Sequence, residues 1–412
     1  MAKPWSLARA AGERWRRGDP PRRPMKEHSG SHTLRSPTRR RRLRAVAASA
    51  GRLPMRCMNI TSDTSRLAAA SSIHPGATDA SGRRTVVVTG ASAGVGRAVA
   101  REFARHGWRV ALLARGADGL EGARRDVERL GGEALVIPTD VADEAQVEAA
   151  AARVEAAWGS IDVWVNDAMA TIFSDVMDIA PEDFRRATEV TYLGAVWGTL
   201  AALRRMKPVD RGCIVQVGSA LAYRSIPMQA PYCGAKAALR GFTDSLRCEL
   251  AHDDSQVHVT MVQLSAFNTP QFGWGRTTMA RRPRPMGKIF QPEIAARAVY
   301  WAATHRRREL WVGWPAVQAI LGTRLLPGLA DRLLGRSAVE GQQTDEPVSA
   351  DRPDNLYAPV PGDHGAHGHF DDEALPRSTQ FWLTTHRKTT ALAALATAGV
   401  AWGIASRLLR RR

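Results

Sequence analysis

Tyr232 and Lys236 are four residues apart and have the chemistry of an acid–base pair. In a helix this spacing places both side chains on one face. An ammonium near a phenol favours the phenolate, which makes the tyrosine a better acid or base. Ser219 lies thirteen residues upstream, just after an apolar strand, where its hydroxyl could hold a substrate oxygen. The three side chains together predict proton transfer to or from an oxygen atom.

A glycine-rich segment, TGASAGVG, precedes these residues between Thr89 and Gly96. Glycines allow a tight turn and a close approach of the backbone, so that a pyrophosphate can lie at the positive end of a helix. An apolar strand precedes the segment and a helical pattern follows it, as a dinucleotide site requires. The candidate cofactor contacts in this segment are Gly90, Ser92, Gly94, Val95 and Gly96.

The end of the second strand decides which nicotinamide cofactor such a site takes. An acidic residue there bonds to the ribose 2′-hydroxyl, whereas a basic residue accommodates a 2′-phosphate. This chain has Ala114 and Arg115 at that point, and Arg97 lies just past the glycines. We therefore expect NADP(H) rather than NAD(H), with Arg97 either contributing to this preference or merely solvated.

Two polar residues lie at the ends of the next two strands. They are the remaining cofactor contacts that the residue types and positions predict. Asp140 suits a hydrogen bond to the adenine edge. Asn166 suits a role beside the cofactor, where it would join neighbouring strands.

Short apolar strands alternate with helical segments from Arg84 onward. Continuous runs of Val and Ile are typical of parallel strands buried on both faces. The alternation predicts a doubly wound, Rossmann-like α/β fold, with a parallel sheet between two helical layers. The predicted strands are Thr85–Thr89, Arg109–Ala114, Ala134–Ile137, Ile161–Val165, Cys213–Val217, His258–Leu264 and Glu309–Val312. The predicted helices include Val95–His106, Glu144–Trp158, Pro181–Met206, Tyr232–His252 and Pro292–Thr304.

These motifs together resemble the short-chain dehydrogenase/reductase family over about residues 81–335. The matching residues are Thr89, Gly90, Gly94 and Gly96 of its TGxxxGxG loop, Tyr232 and Lys236 of its YxxxK pair, and Ser219 before them. The resemblance implies reversible hydride transfer between an alcohol and a carbonyl. It implies that Tyr232 exchanges the proton, that Lys236 lowers its pKa and holds the nicotinamide ribose, and that Ser219 orients the carbonyl.

Three positions depart from the family's pattern. The NNAG motif is replaced by residues 166–169, Asn-Asp-Ala-Met. The helix asparagine that supports a water in the proton relay is Thr191, whose hydroxyl either takes over that role or does not. The Pro-Gly after the sixth strand is Ser265-Ala266, and Thr269 beyond it is expected to reach the nicotinamide amide. These changes bear on the rate more than on the type of reaction.

The loop after the sixth strand, about Phe267–Phe290, is expected to select the substrate. Phe272, Trp274 and Met279 favour a hydrophobic alcohol or ketone. Four arginines of the loop either meet a substrate carboxylate or phosphate or are solvated on a mobile lid; they are Arg276, Arg281, Arg282 and Arg284.

The main hypothesis is an oxidoreductase that acts on a small alcohol or carbonyl compound. The alternative is a cofactor-binding sensor or scaffold without turnover, which Thr191 and the long terminal arms suggest. By analogy with the family, we expect a homodimer or tetramer paired through the helices at Pro181–Met206 and Tyr232–His252.

The positive charge of the chain, +18 in all, lies at its two ends. Residues 1–80 contain 17 Lys and Arg against 5 Asp and Glu, and residues 387–412 contain 6 basic residues and no acidic one. Residues 81–386 carry 35 residues of each sign. Because the excess lies on tails rather than on a domain face, nucleic acid is not an expected partner.

Four segments follow from these patterns: a disordered basic extension, 1–80; the catalytic domain, 81–335; a Pro-, Asp- and Gly-rich extended arm, 336–386; and a basic-flanked apolar helix, 387–412. The extension has too little apolar periodicity to fold. It is an addition upstream of a start at Met55 or Met58, a targeting peptide or a polyanion-binding tail.

The C-terminal helix bears on localisation, which we expect to be cytoplasmic. Thr389–Ser406 has 18 residues without a charge, which just reaches the length of a spanning helix. Ala, Gly and Thr dominate it, so it is either a membrane anchor or peripheral membrane helix, or a helix docked on protein.

Cysteine and histidine spacing indicates neither disulfides nor a metal. Cys57, Cys213, Cys233 and Cys248 form no CxxC pair, which is typical of free thiols in a reducing compartment. A histidine cluster in the arm could suggest a metal site, but no cysteine or periodic acid accompanies it, which favours a solvated loop; its members are His364, His367 and His369.

Overall fold

Seven parallel strands form the central sheet of the computed structural model, which describes residues 82–387, 389–390 and 402. The strands are β1 (Thr85–Thr89), β2 (Arg109–Ala114), β3 (Glu133–Pro138), β4 (Val163–Asn166), β5 (Cys213–Ser219), β6 (His258–Leu264) and β7 (Glu309–Val312). Their order is β3-β2-β1-β4-β5-β6-β7. The direction of strand addition reverses between β1 and β4, and ligands of such sheets bind at the carboxyl ends of the strands beside this switch point.

Helices cover both faces of the sheet. They are α1 (Gly94–Arg105), α2 (Ala117–Arg129), α3 (Glu144–Trp158), α4 (Pro181–Thr188), α5 (Gly194–Met206), α6 (Ala230–His252), α7 (Gln271–Trp274), α8 (Pro292–Thr304), α9 (Trp314–Leu325), α10 (Pro327–Ser337) and α11 (Thr379–Thr385). Buried side chains of α1, α2 and α8 pack on one face, and those of α3, α5 and α6 pack on the other. The predicted three-layer, Rossmann-like fold is therefore confirmed.

The strands form where apolar residues run without interruption. Val86, Val87 and Val88 in β1 are 0% exposed, because alternate side chains enter the two cores on opposite faces of the sheet. Val87 pairs with Ala111 of β2 and with Trp164 of β4, so β1 lies at the centre of the fold. The loop that follows β1 consequently leaves the sheet at the switch point.

The predicted helix Pro181–Met206 is interrupted by a π-helical turn, Glu189–Leu193, between α4 and α5. The hydroxyl of Thr191 in this turn donates to the carbonyl of Ala170 and accepts its N–H, both at 2.9 Å. The local pattern of apolar residues cannot indicate the turn, because its partner lies on another segment.

Shorter elements complete the structure. Three small two-stranded sheets pair Ile172–Phe173 with Arg276–Thr277, Ala266–Phe267 with Ile289–Phe290, and Arg281–Pro283 with Gln343–Pro347. Three-residue 3₁₀ helices occur at Val176–Asp178, Ala220–Ala222 and Glu340–Gln342. The arm of residues 336–386 contains the helix α11 as well as the strand Gln343–Pro347, which adds to the loop that follows β6.

The two terminal predictions fall largely outside this description. Residues 1–80, including Cys57, and almost all of Thr389–Ser406 lie outside the described residues. In the part of the chain that is described, no helix has both the length and the apolar character needed to cross a bilayer.

Candidate active site

The glycine-rich loop connects β1 to α1 through a tight turn that excludes larger residues. Gly90 has a φ of +72°, and a Cβ there would lie 2.9 Å from the Cα of Ala168. A Cβ on Gly96 would lie 2.3 Å from the carbonyl oxygen of Gly90. Glycine is required at both positions, because the first needs a left-handed backbone and the second allows α1 to start against the turn.

The loop borders a cavity of about 640 Å³ at the carboxyl ends of the strands. The predicted site residues that line it are Gly90, Ser92, Gly94, Val95, Arg115, Asp140, Ser219, Tyr232, Lys236 and Thr269. The volume lies in the range of cofactor sites. A glycine-rich turn at one part of the cavity and an arginine at another suit the phosphates of a dinucleotide, so the residues present fit a nicotinamide dinucleotide cofactor.

Asn166 and Gly96 do not belong to the lining. The side chain of Asn166 accepts from the Trp164 indole at 2.8 Å, and donates to Thr199 at 3.1 Å and to Gln216 at 3.0 Å. These contacts join β4 to β5 and α5, which is the joining role that the sequence suggested. With its amide engaged inside the sheet, Asn166 is better described as a support for the cavity than as one of its contacts.

Ser219, Tyr232 and Lys236 meet at one wall of the cavity. Ser219 lies near enough to the Tyr232 phenol to lower its pKa, and its hydroxyl accepts the N–H of Leu221 at 3.1 Å. The ammonium of Lys236 donates to the carbonyl oxygen of Val217 at 2.6 Å and lies 5.7 Å from the centre of the Tyr232 ring. β5 supplies the serine and α6 supplies the other two, so the sheet and one helix set the geometry.

Burial dominates the charge state of this cluster. It raises the pKa of Tyr232, and Ser219 offsets only part of that effect. Burial also lowers the pKa of Lys236 to about 8, so the ammonium form still predominates at neutral pH. The lowering of the tyrosine pKa by Lys236 stays a prediction.

Asp167 is a titratable residue of the cavity that the sequence analysis noted only as a departure from NNAG. Burial raises its pKa to about 7, while the charge of Lys236 and the N–H of Gly96 act in the opposite direction. Asp167 in turn raises the pKa of Lys236. The carboxylate in place of an amide was the available signal in the sequence, because it introduces a charge near Lys236.

Thr191 does not line the cavity. It is 1% exposed, and both of its hydroxyl contacts are to the backbone of Ala170. The hydroxyl therefore secures the π-helical turn against the segment after β4. To donate to a water of the proton relay, the hydroxyl would have to give up its bond to the Ala170 carbonyl, whereas its second lone pair can accept from a water without loss of either bond.

Arg115 is held by the arm of residues 336–386. Its guanidinium donates to the carbonyl oxygens of Asn355 and, at 3.2 Å, of Leu356. Asp140 bonds to the guanidinium of Arg186, a residue that the sequence analysis did not single out. Both predicted residues lie at the cavity as expected, but each already has an internal partner.

Arg97 is neither solvated nor directed at a cofactor phosphate. It is 2% exposed, and its guanidinium contacts Asp126 at 2.7 Å and Asp363 at 3.1 Å. It also donates to the carbonyl oxygen of Gly119 at 2.8 Å. A buried guanidinium requires such partners, and here they tie α1 to α2 and to the arm.

The arm also reaches the glycine-rich loop and the segment containing Thr269. The carbonyl oxygen of Gly365 accepts the N–H of Gly94 at 3.0 Å. A Cβ on Gly368 would lie 2.5 Å from the carbonyl oxygen of Thr269, so the two backbones touch. The arm residues that line the cavity are Asn355, Pro359, Val360, Gly362 and His364. Sequence reasoning missed all of them.

The arginines of the loop after β6 pair with carboxylates of the arm. The pairs are Arg276 with Asp354, Arg281 with Glu340, Arg282 with Glu346, and Arg284 with Glu373. These ion pairs join the loop to the arm, and the two roles that the sequence suggested for the arginines stay predictions.

Other predicted features have ordinary partners. His367 lies between Glu293, at 2.8 Å, and Asp371, at 2.9 Å. Among the described residues, no group of three or more His, Cys, Asp or Glu could hold a metal ion. Cys213, Cys233 and Cys248 are free thiols, as expected.

The comparisons with known proteins agree with this architecture. The family profile "short chain dehydrogenase" matches residues 84–278. The uncharacterized oxidoreductase YxnA of Bacillus subtilis is 30% identical over 79% of this chain and 91% of its own length. An L-rhamnose 1-dehydrogenase (NAD(P)(+)) of Azotobacter vinelandii is 32% identical over 55% of this chain and 91% of its own length. An alcohol dehydrogenase of Thermococcus sibiricus, solved with 5-hydroxy-NADP, is 27% identical over 56% of this chain and 96% of that one, with a TM-score of 0.49.

Proposed function

The chain belongs to the short-chain dehydrogenase/reductase family of oxidoreductases, and on that premise we propose that it interconverts an alcohol and a ketone or aldehyde with NADP(H). The observation that carries the proposal is that Ser219, Tyr232 and Lys236 line one cavity together with the glycine-rich loop, and that the Lys236 ammonium lies 5.7 Å from the centre of the Tyr232 ring. The hydroxyl groups of Ser219 and Tyr232, beside a loop that can hold a dinucleotide, suit the reduction of a carbonyl group.

The residues divide the chemistry as follows. When bound, NADPH supplies the hydride that the carbonyl carbon receives. Ser219 donates a hydrogen bond to the carbonyl oxygen, and Tyr232 transfers its proton to that oxygen, so the carbonyl double bond is replaced by new C–H and O–H bonds. Lys236 provides positive charge near the phenolate that remains. Oxidation of the alcohol runs through the same contacts in reverse.

The preference for NADP(H) is proposed from Arg115 and from the absence of an acid beside it at the end of β2. The family does not decide this point, since the name of the relative from Azotobacter vinelandii includes both NAD and NADP.

A hydrophobic ketone or aldehyde is the proposed substrate class. Phe272 and Trp274 line the cavity, together with Met286 and Leu334. The loop arginines that could have met a substrate anion pair with arm carboxylates instead, which favours an uncharged substrate.

The experiment compares wild type with Tyr232→Phe, following NADPH absorbance with a panel of hydrophobic ketones and aldehydes. We expect turnover by wild type and a loss of about 10²- to 10⁴-fold in kcat for the variant, because a positioned proton donor contributes that much. NADPH affinity should remain close to that of wild type. Tyr300→Phe, on α8 and outside the cavity lining, is the matched control and should turn over normally.

The alternative is a sensor or scaffold that binds NADP(H) without turnover, which the engaged hydroxyl of Thr191 favours. Tight NADPH binding with no oxidation across the panel would support it against the enzyme.

We also propose a homo-oligomer formed through α5 and α6. A cytoplasmic location with membrane contact through residues 387–412 is proposed as well. Cell fractionation with and without these residues tests the membrane contact, and an unchanged distribution would contradict it.

A further inference from the structure

Arg186 connects three elements at the end of the cavity where Arg115 lies. It projects from α4, and its guanidinium bonds to Asp140, which follows β3. Its Nε donates to the carbonyl oxygen of Leu356 in the arm, at 3.2 Å. The Arg186 side chain is 14% exposed, so its contacts are largely shielded from solvent and from competing ions.

The carbonyl oxygen of Leu356 is shared between two arginines. It accepts from Arg186 and, also at 3.2 Å, from Arg115. Leu356 is 0% exposed, which fixes the position of its carbonyl. Arg115 and Arg186 are thereby held near each other and near Asp140. Burial has the largest effect on the pKa of Arg115 and lowers it; the charge of Asp140 raises this pKa, and the charge of Arg186 lowers it. Two cations against one carboxylate leave a positive surplus.

The sign of that surplus matters for the choice of nucleotide. Asp140 lines the cavity, and a free carboxylate there would repel the 2′-phosphate of NADP(H). The bond to Arg186 removes this conflict, because the negative charge of Asp140 is neutralised before a nucleotide arrives.

We propose that Arg186 is a positioning residue for cofactor choice. By pairing with Asp140 it makes the cavity compatible with a 2′-phosphate, and the Leu356 carbonyl of the arm holds it beside Arg115. Arg186 acts through Asp140 rather than by contact with the nucleotide, since it does not line the cavity. The inference rests on the proposed use of NADP(H) and adds to it a residue and an element outside the family's motifs.

The test measures dissociation constants for NADPH and NADH, at low ionic strength, by nucleotide fluorescence. Arg186→Met should weaken NADPH binding about tenfold, the effect of roughly 1.4 kcal/mol of uncompensated repulsion, and should leave NADH binding within about twofold. Arg186→Met/Asp140→Asn should return NADPH affinity to within about threefold of wild type, because the repelling charge is gone. Arg186→Lys should retain most of the affinity. Arg185→Met, the exposed neighbour on α4, is the matched control and should behave as wild type.

Several outcomes would overturn the inference: equal losses for NADPH and NADH, no loss in Arg186→Met, or no recovery in the double variant. Asp140→Asn alone keeps the test valid if Arg186→Met does not fold. It removes the carboxylate and leaves two cations, so NADPH binding should tighten while NADH binding stays within about twofold, and unchanged or weaker NADPH binding would contradict the inference. Wild type is measured first, so a preference for NADH there contradicts the proposed cofactor itself, separately from any variant.

Discussion

Asp167 is unusual among the cavity residues because it places a carboxylate near Lys236, for which we propose a role in proton transfer. Burial lowers the pKa of Lys236 to about 8, and Asp167 is the group that raises it. Burial raises the pKa of Asp167 to about 7, and Lys236 lowers it. The two groups therefore stabilise each other's charged forms at neutral and mildly alkaline pH, against the desolvation that both experience.

This coupling predicts the pH dependence of carbonyl reduction. The lysine must be protonated to favour the phenolate that Tyr232 becomes, so kcat/KM should fall as the pH rises through the pKa of Lys236 near 8. In Asp167→Asn the ammonium loses its anionic neighbour, its pKa drops further, and the fall should begin at lower pH. A pH profile at saturating NADPH measures this. A shift towards higher pH, or none, would contradict the coupling, and an unchanged NADPH affinity serves as the control.

The arm of residues 336–386 is the element that adds most to the structure outside the family's motifs. Its Asp363 reaches Arg97 at 3.1 Å and Arg125 at 3.5 Å, and so closes the arm over α1 and α2. Gly122 makes this approach possible, since a Cβ there would lie 1.9 Å from a carboxylate oxygen of Asp363. The absence of a side chain at Gly122 on α2 therefore leaves the space that the arm occupies.

Gly122→Ala should therefore loosen the arm. The added methyl must displace the Asp363 carboxylate from Arg97, and we expect a loss of about 1–3 kcal/mol in the free energy of unfolding, measured with urea. Chymotrypsin should cleave faster after Tyr357, whose hydroxyl otherwise donates to Asp183 at 2.9 Å.

The matched control for this prediction is Gly322→Ala on α9, where a Cβ would meet nothing within 4 Å. It should leave cleavage unchanged and keep or slightly raise stability, because alanine is the better helix former by about 1 kcal/mol. Equal behaviour of the two variants would show that the arm does not depend on the space at Gly122.

At the scale of the whole molecule, the outer face of α6 is the surface through which we propose that subunits pair. Gly234 and Gly241 are exposed there, and a Cβ on either would meet nothing within 4 Å. They are seven residues apart, so they lie on one face of the helix. A smooth outer face on α6 is compatible with the close helix pairing that we propose for the oligomer.

Gly241→Arg should then dissociate the oligomer without unfolding the subunit. A long charged side chain fits the open surface of a single subunit, but it blocks the approach of a second helix. Sedimentation velocity should give a lower mass for this variant and a wild-type mass for Gly322→Arg, its counterpart on α9. A monomeric wild type, or an unchanged mass for Gly241→Arg, would contradict pairing through α6.

Sequence patterns located the sheet well. β1, β2, β6 and β7 begin and end at the predicted residues, as do α3 and α8. These elements were predictable because burial on both faces of a parallel sheet requires continuous apolar runs, and a surface helix requires a periodic one. The interruption at Thr191 was not predictable, since its cause is a hydrogen bond to another segment.

The sequence by itself determined the glycine-rich loop, the Tyr232–Lys236 spacing and the Rossmann-like fold, because each is encoded by neighbours along the chain. Only the tertiary structure decided what surrounds them. Arg97 and Asp363 are 266 residues apart, and Arg186 and Leu356 are 170 apart. Contacts over such separations produce no periodic or local pattern in the sequence, because they form only where the folded sheet and the arm meet. For that reason Tyr232 and Lys236 could be named in advance, whereas the pKa values of the pair, and the groups that hold the cofactor end of the cavity, could not.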